Sequence, residues 1–272
     1  MQNIQFTHKV SKGSRFNQIY IPKEMEANFE VGDFVEVKLL KKKEKIYYSK
    51  NLEKLSDFKE KLIKEIFLKL NEFNEVQQVF VVGSFLTQKI DYNDVDLMIV
   101  LHKKDENAER KIYDKLTEKL NIKFHIIPIS EDELHYLEKT CPLTKSMLYY
   151  YISNKEFDIS TKKIVDKNHI KFLLMMPEDL LEIKTNSKVF YDNLRRLITI
   201  ERFLGDKNLD PKKVNNELNL IINKIGGNAG AILKNSEQID DKIILKLREI
   251  IKKKLSNIKK NLNKNEQKEN NS

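Results

Sequence analysis

The chain of 272 residues carries a formal net charge of +9, with 33% charged residues, 40% hydrophobic residues and one cysteine. A mean hydropathy of −0.55 and the lack of an apolar run of about 18 residues argue against a membrane span, and one cysteine excludes an internal disulfide framework. We therefore expect a soluble, cytoplasmic protein without a secretory leader, and the positive charge favours nucleic acid or another polyanion as a partner.

Short strands are predicted over residues 1–48. Residues 18–25, QIYIPKEM, are rich in strand-forming side chains as far as Pro22. Residues 35–40, VEVKLL, begin with the apolar and polar alternation of a half-buried strand, and a turn signal precedes them. Such a small β unit buries too little surface to be stable alone, which favours pairing with a second copy.

This N-terminal segment resembles the AbrB/SpoVT-type swapped-hairpin domain in Gln18–Glu24 and in Gly32–Asp33. The resemblance implies a dimer of interleaved hairpins, often bound to operator DNA through basic loops. Lys9, Lys12 and Arg15 are then the candidate contacts, and they would meet phosphates rather than specify bases. A β module that serves only for dimerisation or docking explains the same residues.

The periodicity changes after residue 50. Apolar residues recur at three- and four-residue spacing from Asn51 to Phe73, among them Leu55 and Phe58, and predict an amphipathic helix. Residues 130–134, SEDEL, predict a capping box that starts another helix. Between these helices we expect three strands, at 76–82, 96–101 and 123–129. A short helical segment is expected between the first two strands, and a helix at 106–120.

The chain is predicted to be helical from residue 166 onward. Helices are expected at 188–204, 214–227 and 240–262. Arg195, Arg196, Arg202 and the lysine-rich face of the last helix could bind an RNA acceptor. A helical bundle with a solvated lysine face explains the same composition.

A candidate site lies in the stretch VFVVGSFLTQKIDYNDVDLMIV, residues 79–100. Asp94 and Asp96 are two residues apart on a predicted strand, so both carboxylates point to one face. They would repel each other unless a hard divalent cation, Mg²⁺ or Mn²⁺, lay between them. Gly83 allows a close approach of backbone to ligand, and Ser84 adds a hydroxyl at a predicted helix start, where phosphate oxygens are favoured. The alternative is a strand pair with surface aspartates.

Gly83-Ser84 followed by Asp94-Val95-Asp96 resembles the nucleotidyltransferase superfamily of DNA polymerase β, in its minimal (MNT-like) branch. The resemblance covers residues 55–157. It implies transfer of a nucleoside monophosphate (NMP) from a nucleoside triphosphate (NTP) to a hydroxyl. Asp94 and Asp96 would hold two metal ions, and Gly83 and Ser84 would hold the triphosphate.

One position departs from this family. The family usually carries a third carboxylate on a neighbouring strand, where this chain has His125. An imidazole is a poor ligand for Mg²⁺ but a good proton acceptor near neutral pH. Three interpretations stay open: His125 is the general base, or Glu131, Asp132 or Asp91 reaches the site, or the enzyme is weak or inactive and the domain binds nucleotide or a partner.

The predicted architecture is α+β and multidomain. It has an AbrB-like β domain (1–48), a mixed α/β nucleotidyltransferase domain (52–160), an α-helical domain (166–262) and a disordered tail (263–272). The expected function is metal-dependent transfer of NMP to a protein or RNA hydroxyl, in a toxin–antitoxin-like system. The alternative is a dimeric DNA-binding regulator with a degenerate, nucleotide-sensing domain.

Overall fold

A computed structural model describes residues 5–38, 45–88, 92–103, 106–183, 185–234 and 240–269. Residue contacts divide the chain into two compact units, residues 1–43 and 44–272. Within the described ranges, no helix has both the length and the apolar character needed to cross a membrane.

The first unit contains a short antiparallel pair, β1 (Ser11–Lys12) with β2 (Asn17–Gln18), and a 3-10 helix at Lys23–Asn28. A small N-terminal β part is therefore confirmed. The strand predicted at 35–40 is absent from its described residues, 35–38, because an extended segment needs a partner strand for its backbone hydrogen bonds. Large apolar side chains are exposed here: Val10, Phe16, Ile19, Tyr20, Ile21, Val31, Phe34, Val35 and Val37.

The second unit is built on a mixed five-stranded sheet, which confirms the α/β prediction. Its strands are β3 (Tyr47–Tyr48), β4 (Val76–Val82), β5 (Val95–Leu101), β6 (Phe124–Ser130) and β7 (Ile152–Ser153), in the order β3-β7-β4-β5-β6. β5 and β6 are parallel, and the other neighbours are antiparallel. β3 lies in this sheet although the sequence assigned it to the N-terminal segment, because β7 supplies a partner that only the fold brings near.

Four helices cover the two faces of the sheet. They are α1 (Asp57–Leu70), α2 (Glu106–Leu120), α3 (Glu131–Thr140) and α4 (Pro142–Met147). Ser56 caps α1, and Ser130 with Glu133 forms the predicted capping box of α3. Val81 and Leu97 pack on the face covered by α1 and α2. Val82 and Met98 pack on the opposite face, with α3.

The remaining helices share a separate apolar core: α5 (Lys167–Asp179), α6 (Ser187–Leu204), α7 (Pro211–Lys224), α8 (Ala229–Lys234) and α9 (Asp241–Glu269). They dock on the sheet region through Ser146, whose hydroxyl donates to the Leu209 carbonyl at 2.9 Å. α9 continues to Glu269, through a segment predicted to be disordered. Extending a helix that has already formed costs little, and Glu, Gln and Lys are good helix formers.

Candidate active site

Asp96 and His125 lie side by side at one end of the sheet. They are register partners on the parallel strands β5 and β6, and Asp96 Oδ1 is 2.9 Å from His125 Nδ1. Asp96 alternates with Met98, so the pair projects from the α3 face of the sheet. The Asp96 side chain is 23% exposed and that of His125 62% exposed, so the imidazole is open to solvent.

Gly83 follows β4 at the same end of the sheet and lies directly against Asp96. Its φ of 80° and ψ of −157° belong to a region that is essentially restricted to glycine. A Cβ atom at Gly83 would lie only 2.0 Å from Asp96 Oδ2. The two oxygens of Asp96 therefore have different neighbours, because Oδ1 meets His125 and Oδ2 faces the Gly83 backbone.

The segment after Gly83 is one 3-10 turn, Ser84–Leu86, rather than a full helix. The Leu86 amide donates to the Gly83 carbonyl, and the Thr87 amide and hydroxyl donate to the Ser84 carbonyl. Gly83 and Ser84 are exposed. So short a turn has little helix dipole, so a phosphate contact here would depend on the close backbone of Gly83 and on the Ser84 hydroxyl.

Lys59 of α1 is a buried residue at this site that the sequence motifs do not indicate. Only 5% of it is exposed, and its Nζ donates to the carbonyls of Phe85 at 2.8 Å and Thr87 at 2.7 Å. Burial lowers the pKa of Lys59. The helical periodicity could have indicated its burial, because Lys59 is four residues after Leu55 and therefore lies on the same apolar face of the predicted helix. Phe58, which we placed on that stripe, is instead 61% exposed.

The geometry of this region agrees with a comparison of the sequence with known families. Residues 60–175 match the family model described as nucleotidyltransferase domain. This region is nucleotidyltransferase-like. The match supports the polymerase β-like superfamily, while the MNT-like branch and the N-terminal AbrB resemblance stay predictions. Comparisons with curated proteins and with solved structures gave no significant match.

Glu131 and Asp132, two candidates for the missing third carboxylate, do not lie near Asp96 and His125. Glu131 and Asp132 follow the far end of β6, about 17 Å along the strand from His125 at about 3.3 Å per residue. Glu131 accepts a hydrogen bond from Gln77 at 2.6 Å, at the opposite end of the sheet from Gly83. The expectation that either residue reaches the site is wrong, because β6 carries them away from it. Asp91 lies outside the described residues.

The described carboxylates at this end of the sheet form at most part of a divalent-metal site. Among the described residues, no group of three or more His, Cys, Asp or Glu side chains could hold an ion by itself. Asp94 is partly exposed and directly precedes β5, two residues from Asp96. Mg²⁺ is commonly bound by one or two carboxylates together with substrate phosphates and water. Asp94 and Asp96 fit that requirement if the ion arrives with a nucleotide.

Proposed function

We propose that the chain is a metal-dependent nucleotidyltransferase that moves NMP from an NTP to a hydroxyl of a protein or an RNA. The observation that carries this proposal is the position of Asp96 between His125 and the Gly83 backbone. A proton acceptor, a carboxylate oxygen and an exposed Gly-Ser turn then share one end of the sheet. All of them fall within the nucleotidyltransferase-like region.

In the transfer step, the acceptor oxygen attacks the α-phosphorus of the NTP. A new P–O bond forms, the bond between the α-phosphorus and the bridging oxygen breaks, and pyrophosphate leaves with that electron pair. The hydroxyl proton passes to Nε2 of His125. The pair geometry supports this role, because a neutral imidazole that donated from Nδ1 to Asp96 Oδ1 would have Nε2 free as an acceptor.

Asp94 and Asp96 are the residues that would hold Mg²⁺ or Mn²⁺. When bound, the ion would neutralise charge on the phosphates and on the departing pyrophosphate. For Asp96 the oxygen on the Gly83 side, Oδ2, suits this role, since Oδ1 is engaged with His125. Asp96 would thus serve both the metal and the base, which suits a chain with no third carboxylate beside them in the described residues.

The decisive experiment is label transfer from each of the four α-³²P-labelled NTPs to cell extract in Mg²⁺ or Mn²⁺. Asp96→Asn should abolish the transfer, and His125→Asn should lower its rate by about 10²-fold or more, as expected for loss of a general base. The matched control is His102→Asn, because His102 is exposed beyond the far end of β5 and should be dispensable. If the wild-type protein transfers no label from any NTP, the proposed nucleotidyltransferase activity is refuted.

A second proposal concerns the first unit, and the exposed apolar residues there favour it. We propose that residues 5–38 pair with a second copy of the chain, because an uncovered set of large apolar side chains is costly in water. Lys9, Lys12 and Arg15 are exposed and could then contact DNA phosphates. Light scattering across a range of concentrations tests the pairing. DNA binding without any label transfer would favour a regulator.

The toxin–antitoxin-like setting is also a proposal, and it has a direct test. Induced expression of the wild-type chain should slow growth of a bacterial host if NMP transfer to host protein or RNA is harmful. Asp96→Asn at equal expression should not slow growth, and an equal effect of both chains would reject the idea.

A further inference from the structure

Lys59 contacts the Gly-Ser turn (residues 83–87) from the side of the sheet that faces α1. α1 packs on the sheet face of Val81 and Leu97, whereas Asp96 and His125 project from the other face. The Lys59 ammonium lies 5.1 Å from the ring centroid of Phe85 and 5.7 Å from that of Tyr92. These two rings meet edge to face at 4.9 Å. One buried cation therefore contacts the turn after Gly83 and the segment that leads into Asp94.

The cation also determines where the carbonyl groups of the turn point. The carbonyl oxygens of Phe85 and Thr87 face Lys59 Nζ, and are thus directed toward α1. A triphosphate bound on the Asp96 side of the turn would otherwise meet the negative ends of these dipoles. Hydrogen bonds from a charged donor are stronger than neutral ones, so Lys59 can hold this orientation firmly.

The turn itself supplies no positive charge. Residues 83–88, GSFLTQ, contain no basic side chain. A bound triphosphate would therefore need positive charge from elsewhere in the fold. The Lys59 ammonium lies on the α1 side of the turn, where little water screens its charge. Burying an ammonium group costs free energy. If this position of α1 served packing alone, an apolar side chain would stabilise the fold more than a lysine does.

We propose that Lys59 is the positioning residue of the nucleotide site: it orients the carbonyls of Phe85 and Thr87 away from the phosphates and supplies the positive charge that the turn lacks. The inference rests on the proposed function. Lys59 does not touch the reacting atoms in this arrangement. It acts through the turn, and it couples the turn to the Asp94 segment through Phe85 and Tyr92.

The test compares Lys59→Met with Lys59→Arg, which keeps the charge and the donors. Lys64→Met is the matched control, because Lys64 is an exposed lysine of the same helix. Dissociation constants are measured in Mg²⁺ for the NTP that wild type binds, its diphosphate and its nucleoside. Lys59→Met should weaken NTP binding by about tenfold or more, the equivalent of one charge-assisted hydrogen bond. The nucleoside should be unaffected, and Lys59→Arg should restore most of the NTP affinity.

Hydrogen–deuterium exchange of the 83–88 peptide gives a second readout that needs no ligand. Exchange should accelerate there in Lys59→Met and stay unchanged in Lys64→Met. If Lys59→Met does not fold, Lys59→Gln replaces it, since an amide keeps a donor but no charge. Equal weakening of NTP and nucleoside, or unchanged exchange in the peptide, would overturn the role of Lys59. Wild type that binds no NTP would refute the proposed function, and the exchange result would still decide whether Lys59 fixes the turn.

Discussion

Gly83→Ala is the most direct test of the geometry around Asp96. The new Cβ would lie 2.0 Å from Asp96 Oδ2 and 2.9 Å from Asp96 Cγ, whereas ordinary contacts begin at 3.4 Å. The carboxylate must therefore move by about 1.4 Å, or the backbone must change. A shift of the carboxylate would disturb its hydrogen bond with His125, and a shift of the backbone would displace the Gly-Ser turn from Asp96.

The expected effects on activity and stability differ in size. A misplacement of about 1 Å at a reacting centre costs about 10²-fold in rate, so label transfer should fall by at least that factor. The glycine-restricted backbone at φ 80° and ψ −157° adds about 1–3 kcal/mol of strain in the folded state. Urea unfolding should therefore show a loss of about 1–3 kcal/mol, with most of the protein still folded in water.

Gly226→Ala is the control that distinguishes the effect of backbone strain from the effect of the clash with Asp96. Gly226 also has a positive φ, +84°, but a Cβ there would meet no atom within 4 Å. This variant should lose about 1 kcal/mol of stability and keep wild-type transfer. If Gly83→Ala kept full transfer, or if both variants lost activity equally, the assignment of Asp96 and Gly83 to one site would be refuted.

Three further predictions concern other parts of the chain. Asp94→Asn should weaken Mg²⁺-dependent NTP binding by tenfold or more by calorimetry, since it would remove one of the two proposed carboxylate ligands, and unchanged binding would exclude that role. Burial and a hydrogen bond to Asp210 raise the pKa of Tyr150 from 10.0 to about 12, so the stability it contributes is complete below pH 10 and is lost as pH rises toward 12. Urea titrations should show a steeper loss for wild type than for Tyr150→Phe in that window, and equal slopes would contradict it. Phe34→Glu should shift a wild-type dimer toward monomer in light scattering if the first unit pairs, and no shift would argue against that surface.

The local signals in the sequence were reliable where a short segment decides its own structure. The SEDEL segment forms a capping box because Ser130 and Glu133 satisfy each other's backbone amides. The alternation of β5 buries Val95 and Leu97 and leaves Asp96 on the opposite face, as the period of a strand requires. The strand predicted at 35–40 does not form in its described residues, 35–38. Alternation of apolar and polar residues predicts which side chains would share a face, but it does not supply a neighbouring strand for hydrogen bonding.

The sequence by itself determined the spacing of Gly83, Ser84, Asp94 and Asp96, and the chemistry that such residues can perform, because these depend on short-range rules. Only the tertiary structure decided which residues surround them. Strand register paired Asp96 with His125, which the family resemblance had assigned to a neighbouring strand, and carried Glu131 to the far end of the sheet. Helix packing brought Lys59 behind the turn. Such contacts join segments far apart in the chain, and they form because apolar faces pack together, which no single segment specifies alone.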